Sequence, residues 1–99
     1  MKWLLYGVHD SATEMYQGPF KFQADGQAMR WFEDACNHPE SEIAKHPEYY
    51  SFFRIGAFDD TNGSLEDIPP KFLASGQEMV KGYIAPDTNL KVVSDEEIN

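Results

Sequence analysis

Apolar side chains occupy both the odd and the even positions of two segments, residues 2–9 and 51–59. Successive side chains of a β-strand point to opposite faces of its sheet. A strand that is apolar at both parities is typical of the middle of a sheet with both faces covered. These two segments therefore predict central strands that are buried on both faces.

Residues 60–63 predict a tight turn after the second of these strands. Asn62 and Gly63 tolerate the positive φ that short hairpin connections require. The pattern predicts an antiparallel hairpin in which residues 64–68 form the returning strand. Pro69 and Pro70 end that strand, because proline lacks the N–H that pairing needs.

Two shorter segments, residues 14–16 and 20–23, predict a short strand and an edge strand. Gly18 and Pro19 lie between them, and both residue types weaken strand pairing. We therefore expect two separate pieces of strand here.

One segment has a clear helical period. Apolar residues recur at the i, i+3, i+4, i+7, i+8 spacing of an amphipathic helix, and Asp25 before them is a suitable N-cap. Asn37, followed by His38 and Pro39, predicts the end of the helix. The predicted inner stripe, with Trp31 and Phe32 as the main core anchors, consists of Ala28, Trp31, Phe32, Ala35 and Cys36.

Two short helices complete the predicted elements. Pro39 suits the first turn of a helix through Lys45, and Ser75 with Glu78 forms a capping-box pattern before a short helix near Met79. Together the elements predict an α+β fold in which an antiparallel sheet of about four strands packs against one main amphipathic helix and short helices. We expect one domain over residues 1–82, followed by an acidic and flexible tail over 83–99, where residues 90–93 are an alternative strand.

Charge and cysteine content restrict the classes of function. The formal net charge is -9, which opposes unspecific binding to nucleic acid phosphates. The single Cys36 excludes an intramolecular disulfide, and the first residues lack the pattern of a signal peptide. No apolar stretch approaches the roughly 18 residues of a membrane span. We expect a cytosolic protein that makes no contact with a membrane.

Two clusters contain side chains of the types that bind metals. His38 and His46 precede prolines at predicted helix ends, where side chains cap backbone groups, and their spacing matches no metal motif. The oxygens of residues 59–66 do not follow the spacing of a calcium-binding loop. We expect no metal and no cofactor. The chain also lacks a phosphate-binding loop and an ordered nucleophile, histidine and acid, so we expect no enzymatic activity.

Aromatic residues in the predicted strands offer another chemistry. Sheets that carry aromatic side chains stack the bases of single strands, although such residues more often belong to the core. The rings available in the strands are those of Tyr6, Phe20, Phe22, Phe52 and Phe58. Our candidate nucleic-acid-binding residues are Lys2, Lys21, Arg30, Arg54, Lys71, Tyr6 and Phe22.

The chain resembles the small nonstructural protein of gokushoviruses, a branch of the single-stranded DNA microviruses. The resemblance rests on residues 30–37 (RWFEDACN), 45–51 (KHPEYYS) and 53–60 (FRIGAFDD), with residues 6–10, 18–20 and 69–71 in addition. It covers about residues 1–80 and implies a phage protein that acts in the cytoplasm of the bacterial host. The family is described as DNA-binding or as acting in single-strand synthesis, and it brings no catalytic residues.

Two functions follow from this resemblance and the composition. The first is a replication accessory protein that binds single-stranded DNA weakly through an aromatic and basic patch, which requires the cations to share one face. The second is an adaptor, expected to be a homodimer, that docks on phage or host replication proteins or on the procapsid. An adaptor requires an exposed apolar patch or an open sheet edge.

Overall fold

The structure, a computed structural model, describes residues 1–83. Its elements are β1 (Lys2–Asp10), β2 (Met15–Phe22), α1 (Asp25–Asn37), α2 (Glu42–Lys45), a 3₁₀ turn (Pro47–Tyr49), β3 (Tyr50–Asp59), β4 (Ser64–Glu66), β5 (Lys71–Ser75) and α3 (Gly76–Met79). The predicted α+β class is confirmed. Of the predicted tail, residues 83–99, the structure describes only Tyr83. The rest of the tail, with the alternative strand over 90–93, lies outside the described residues.

The strands form one antiparallel sheet in the order β2-β1-β3-β4, and β5 also pairs with β3. β4 pairs with residues 57–59 of β3, whereas β5 pairs with residues 51–54 of the same strand. The two short strands therefore share one edge of β3. β1 and β3 are central, as the apolar pattern predicts, and the hairpin across residues 60–63 is confirmed.

Three elements differ from their predicted bounds: β2, α2 and β4, which ends at Glu66 and not at residue 68. β2 is one strand and not two pieces. It lies at the edge of the sheet, where a proline is tolerated because its missing N–H breaks no hydrogen bond to a further strand. A register shift between Tyr6 and Val8 accommodates the irregular Gly18, whose φ is 123°. α2 begins only at Glu42, because the Ser41 side chain caps it by accepting from the N–H groups of Ile43 and Ala44.

β5 was not predicted. The two prolines before it suggested the end of extended structure, and its five residues show little alternation. β5 is extended because it pairs with β3. The pairing contains a register shift between Phe52 and Phe53. At the end of β5, Ser75 accepts a hydrogen bond from the N–H of Glu78, so the predicted cap before α3 is confirmed.

The core lies between one face of the sheet and the helices. Tyr6, Val8, Phe32 and Phe52 are fully buried there, and α1 presents to the sheet a buried stripe of Ala28, Phe32 and Cys36. Trp31 is only partly buried and packs at the margin of this core, 4.6 Å from the ring of Phe20. Phe32 is thus the main anchor of α1, and the prediction that Trp31 shares this role is only partly correct.

Neither central strand is buried on both faces. In β1, Tyr6 and Val8 are buried on one face, whereas Trp3, Leu5 and His9, which point to the other face, are only half-buried. β3 shows the same difference between Phe52 and Phe53. The prediction of two covered faces is therefore wrong: the helices within residues 1–83 pack on one face, and one 13-residue helix with short companions is too small to cover two.

Candidate functional site

The uncovered surface of the sheet is the candidate site, and we call it the open face. Besides the small Ser51 and Ser75, the strand registers and, for Ile55, its proximity to Gly7 place ten side chains on it. They are Trp3, Leu5 and His9 of β1, Tyr16 and Lys21 of β2, Phe53, Ile55 and Phe58 of β3, Leu65 of β4, and Phe72 of β5.

A row of rings crosses the open face from one edge strand to the other. The ring of Tyr16 lies 4.7 Å from that of His9 and 5.6 Å from that of Phe53. Phe53 in turn lies 5.7 Å from Phe72. Four strands therefore contribute to a continuous aromatic surface.

A glycine at the centre of the face makes this row possible. A Cβ atom at Gly7 would lie 3.1 Å from Cδ2 of Tyr16 and 3.4 Å from Cδ1 of Ile55. Both side chains thus lie over the backbone of β1 where a larger residue would push them outward. The backbone of Gly7 is itself buried beneath them.

Several of these apolar side chains are strongly exposed. Leu65 is 70% exposed, Phe72 54% and Tyr16 47%. Single exposed apolar residues are common, but a contiguous apolar patch on a sheet marks an interaction surface. The open face has this character over the full width of the sheet.

The open face carries little charge. The ten members include no Asp, Glu or Arg and a single Lys, Lys21. The ammonium of Lys21 lies 4.7 Å from the centre of the Trp3 ring, a cation–π contact. The indole N–H of Trp3 donates to Asp60 at 2.9 Å, so an acidic side chain lies at the same corner.

The predicted basic residues do not share one surface. Lys21 lies on the open face, whereas the strand registers put Lys2, Arg54 and Lys71 at the opposite parity. Lys2 pairs with Glu66 at 2.9 Å. Arg30 lies on the exposed surface of α1.

The predicted aromatic residues lie mainly in the core. Tyr6 is fully buried, and its ring stacks on that of Phe52 at 5.4 Å. Phe22 is half-buried against Tyr6 and Trp31. Of the rings that the sequence suggested for stacking, only Phe58 belongs to the open face.

Tyr6, Asp25 and Arg54 form a polar contact that fixes α1 to the sheet. The Tyr6 hydroxyl donates to one carboxylate oxygen of Asp25 at 2.6 Å, and Arg54 donates to the other at 2.7 Å. Asp25 is therefore not the N-cap of α1, and that prediction is wrong. Ala24 holds that position without a side-chain bond. The hydrogen bond from Tyr6, aided by that from Arg54, lowers the pKa of Asp25 although burial opposes the shift.

Cys36 fits the predicted structural role. It is buried on the inner stripe of α1, and burial raises the pKa of its thiol to about 11. The thiolate is the reactive form of cysteine, so this group is poorly suited to nucleophilic attack. Among residues 1–83, no three His, Cys, Asp or Glu side chains lie close enough together to hold a metal ion.

The sequence reasoning missed most of the open face. Tyr16, Phe53 and Phe72 were not proposed as site residues, although two central strands with apolar side chains at both parities contain the necessary signal. A single 13-residue amphipathic helix covers only one side of such a sheet. The second apolar side is then left without a helix of residues 1–83 over it.

The comparisons with known proteins agree with a phage origin. The chain matches a family of phage proteins over residues 3–79, which includes every strand and helix described above except the first residue of β1. That family is described as Phage ORF5 protein, and the chain belongs to it. No curated protein and no solved structure matches the chain. No helix within residues 1–83 has the length and apolar character needed to cross a membrane.

Proposed function

We propose that this phage protein is a non-enzymatic accessory factor in the synthesis or packaging of single-stranded DNA. It acts in the host cytoplasm and works by docking through its open face. Membership of the phage family and the resemblance to the gokushovirus protein support the process. The observation that carries the docking surface is the row Tyr16, His9, Phe53 and Phe72, which lies on a sheet face that no helix of residues 1–83 covers.

The composition of the open face favours an apolar partner over a polyanion. Protein interfaces are rich in aromatic residues and poor in charge at their centres, and the open face has both properties. Phosphate contacts need cations, and Lys21 is the one Lys or Arg among the ten members of the face. Docking on a protein surface therefore explains more of the face than docking on a DNA backbone.

The arrangement of the rings supports the same choice. The planes of Tyr16 and Phe53 meet at 70°, and those of Phe53 and Phe72 at 75°. Each ring thus packs its edge against a neighbour, as aromatic side chains do in protein cores. Bases stack best on ring faces that lie parallel to one another and open to solvent.

The test uses infected cells in which the phage carries a substitution on the open face. We expect Tyr16→Lys to reduce the ratio of single-stranded to double-stranded phage DNA. Tyr49→Lys is the matched control, because Tyr49 is 44% exposed and lies in the 3₁₀ turn, outside the sheet. An unchanged ratio in Tyr16→Lys, with the protein folded and present at the wild-type level, would contradict the proposal.

A second candidate is direct contact of the open face with single-stranded DNA. It is favoured by the aromatic row together with Lys21 beside Trp3. Stacking contributes roughly 1 to 3 kcal/mol per base, whereas one neutralised phosphate gives a slope of only about -0.7 in log affinity against log salt. Binding through this face would therefore be weak.

A fluorescence titration of a labelled oligonucleotide at about 50 and 200 mM salt tests this candidate. We expect Lys21→Ala to weaken any binding, whereas Arg30→Ala, a change of an exposed cation on α1, leaves it unchanged. Arg54→Ala is less informative because it also breaks the contact with Asp25. Submicromolar affinity at the higher salt would make DNA the primary ligand of the face.

A further inference from the structure

We infer that the occupant of the open face is a second copy of this chain, packed sheet against sheet about a two-fold axis. This inference rests on the proposed docking function of the face and names its partner. The resulting dimer is a β-sandwich between subunits, with α1 of each copy on the outside. Its inner layer consists of the aromatic row and the apolar side chains around it.

The size of the face suits such a dimer. A sheet four strands wide and nine residues long has a flat outline on the order of 600 Å² at the usual strand spacing and rise. Side chains stand above that outline, so their accessible area is larger. A stable interface of standard size takes about 800 Å² from each partner, which is close to what the open face provides.

The lack of carboxylates on the open face favours a second copy over a polyanion. The whole chain has a formal net charge of -9, and none of its carboxylates belongs to the ten members of the open face. A partner rich in phosphate would meet a surface with one lysine, and the acidic remainder of the chain would repel it. A second copy brings a surface that is equally apolar and equally free of carboxylates.

The shape of the face also allows self-packing. Sheets pack face to face about 10 Å apart, with their strands aligned within about 30°. An interface of this kind is its own complement when a two-fold axis relates the copies. Tyr16 and Phe72 lie at opposite edges of the same face, so the rings of both copies contribute along the whole width.

The strand edges of the sheet are less suitable than the open face for association of two copies. The outer edge of β2 contains Pro19, which has no N–H to donate, beside the irregular Gly18. On the other side β4 has three residues, and β5 follows two prolines. Such short and interrupted edges are poor templates for pairing with another chain.

The test measures the mass of the full chain by sedimentation or light scattering between about 1 and 100 μM, a range around the affinities of modest interfaces. We expect a reversible dimer. Its affinity should rise with salt, because screening weakens repulsion between two acidic copies and leaves the apolar contact intact. DNA binding would show the opposite dependence on salt.

Substitutions on the open face locate the interface. Tyr16→Lys combined with Phe72→Lys should weaken the dimer at least about tenfold, whereas Tyr49→Lys should leave it unchanged. Circular dichroism and a thermal unfolding curve establish that each variant is folded. Leu65→Lys is the second variant of the face, because Leu65 is 70% exposed and its removal costs the fold least.

The outcomes separate this inference from the proposed function. A wild-type chain that stays monomeric over the whole range overturns the dimer, as does a dimer that the face substitutions do not weaken. If the chain is monomeric but Tyr16→Lys still lowers the yield of single-stranded DNA in infected cells, the docking function stands with a different occupant. If an oligonucleotide dissociates the dimer by binding the face, DNA replaces the second copy as its occupant.

Discussion

Phe52 and Phe53 are neighbours in β3, yet they belong to different environments. Phe52 is fully buried and stacks between Phe32 and Tyr6, with ring centres 4.7 and 5.4 Å away and planes within 10°. Phe53 is only half-buried and meets Tyr16 and Phe72 nearly edge-on. The same residue type thus completes a core on one side of the strand and, on the other, lies on a face that no helix of residues 1–83 covers.

The two faces of the sheet are both apolar, and they differ in whether helices pack against them. The covered face has α1 and α3 against it, and a polar contact of Tyr6, Asp25 and Arg54 at its margin. The open face has no helix of residues 1–83 above it. Hydrophobic burial within the chain therefore stabilises the fold mainly through the covered face, and apolar side chains of the open face stay accessible to solvent.

The largest expected effect is that of Phe52→Ala. Removing a large buried aromatic side chain destabilises a protein by roughly 3 to 5 kcal/mol, through lost transfer free energy and the cavity that remains. The matched change Phe53→Ala should lower the unfolding free energy of the monomer less than half as much. Urea denaturation at a protein concentration that favours the monomer measures both, and equal losses would contradict the distinction between the faces.

A smaller loss is expected when the polar contact at the covered face is weakened. Tyr6→Phe removes the hydroxyl that donates to Asp25 and keeps the ring in the core. A hydrogen bond to a charged group contributes roughly 1.5 to 3 kcal/mol, and because Asp25 is partly exposed we expect a value near the lower limit. Denaturation curves of the two proteins at neutral pH give the difference, and no loss would show that this contact does not secure α1.

The same contact predicts a dependence on acid. The pKa of Asp25 in the folded chain lies below its ordinary value of 3.8. A lowered carboxyl pKa gives stability that is present above the unfolded pKa and is lost as the pH falls through the folded one. The stability difference between the wild type and Asp25→Asn should therefore shrink below about pH 4. Asp59 and Asp60 also have lowered pKa values, so this difference is the quantity to follow.

Two glycines test how tightly the helical side is packed. A Cβ atom at Gly76 would lie 2.5 Å from the carbonyl oxygen of Pro47, a backbone atom that cannot easily move. We expect Gly76→Ala to cost about 1 to 3 kcal/mol, in the range of other overpacking changes. Gly26 in α1 has open space around it, so Gly26→Ala should stabilise by up to about 1 kcal/mol. Thermal unfolding of both variants checks the opposite signs.

The smallest expected effect on the monomer belongs to the open face. Leu65→Thr changes a side chain that is 70% exposed in β4, and threonine suits a strand. We expect the unfolding free energy of the monomer to stay within about 0.5 kcal/mol of the wild type, as for most surface substitutions. A loss above about 1 kcal/mol at low protein concentration would mean that the open face is packed within a single chain.

Local patterns in the sequence determined much of the fold. The period of the segment after Asp25 predicted α1, because an amphipathic helix repeats its apolar positions every three or four residues. Asn62 and Gly63 predicted the hairpin, because their backbone tolerates the conformation of its turn. Ser75 and Glu78 predicted the cap of α3. Each of these signals lies within a few residues of the element that it specifies.

Only the tertiary structure decided which apolar face is covered and where the predicted site residues lie. Alternation in β1 and β3 separates two sets of side chains but gives no information on which set meets a helix. That choice depends on the long-range registers that align Tyr6 with Arg54 and Gly7 with Phe53. The same registers direct Arg54 to Asp25 at 2.7 Å and leave Lys21 as the one cation among the ten members of the open face. Burial depends on contacts between segments far apart in the chain, so no local pattern in β1 or β3 could assign Phe52 to the core and Phe53 to the open face.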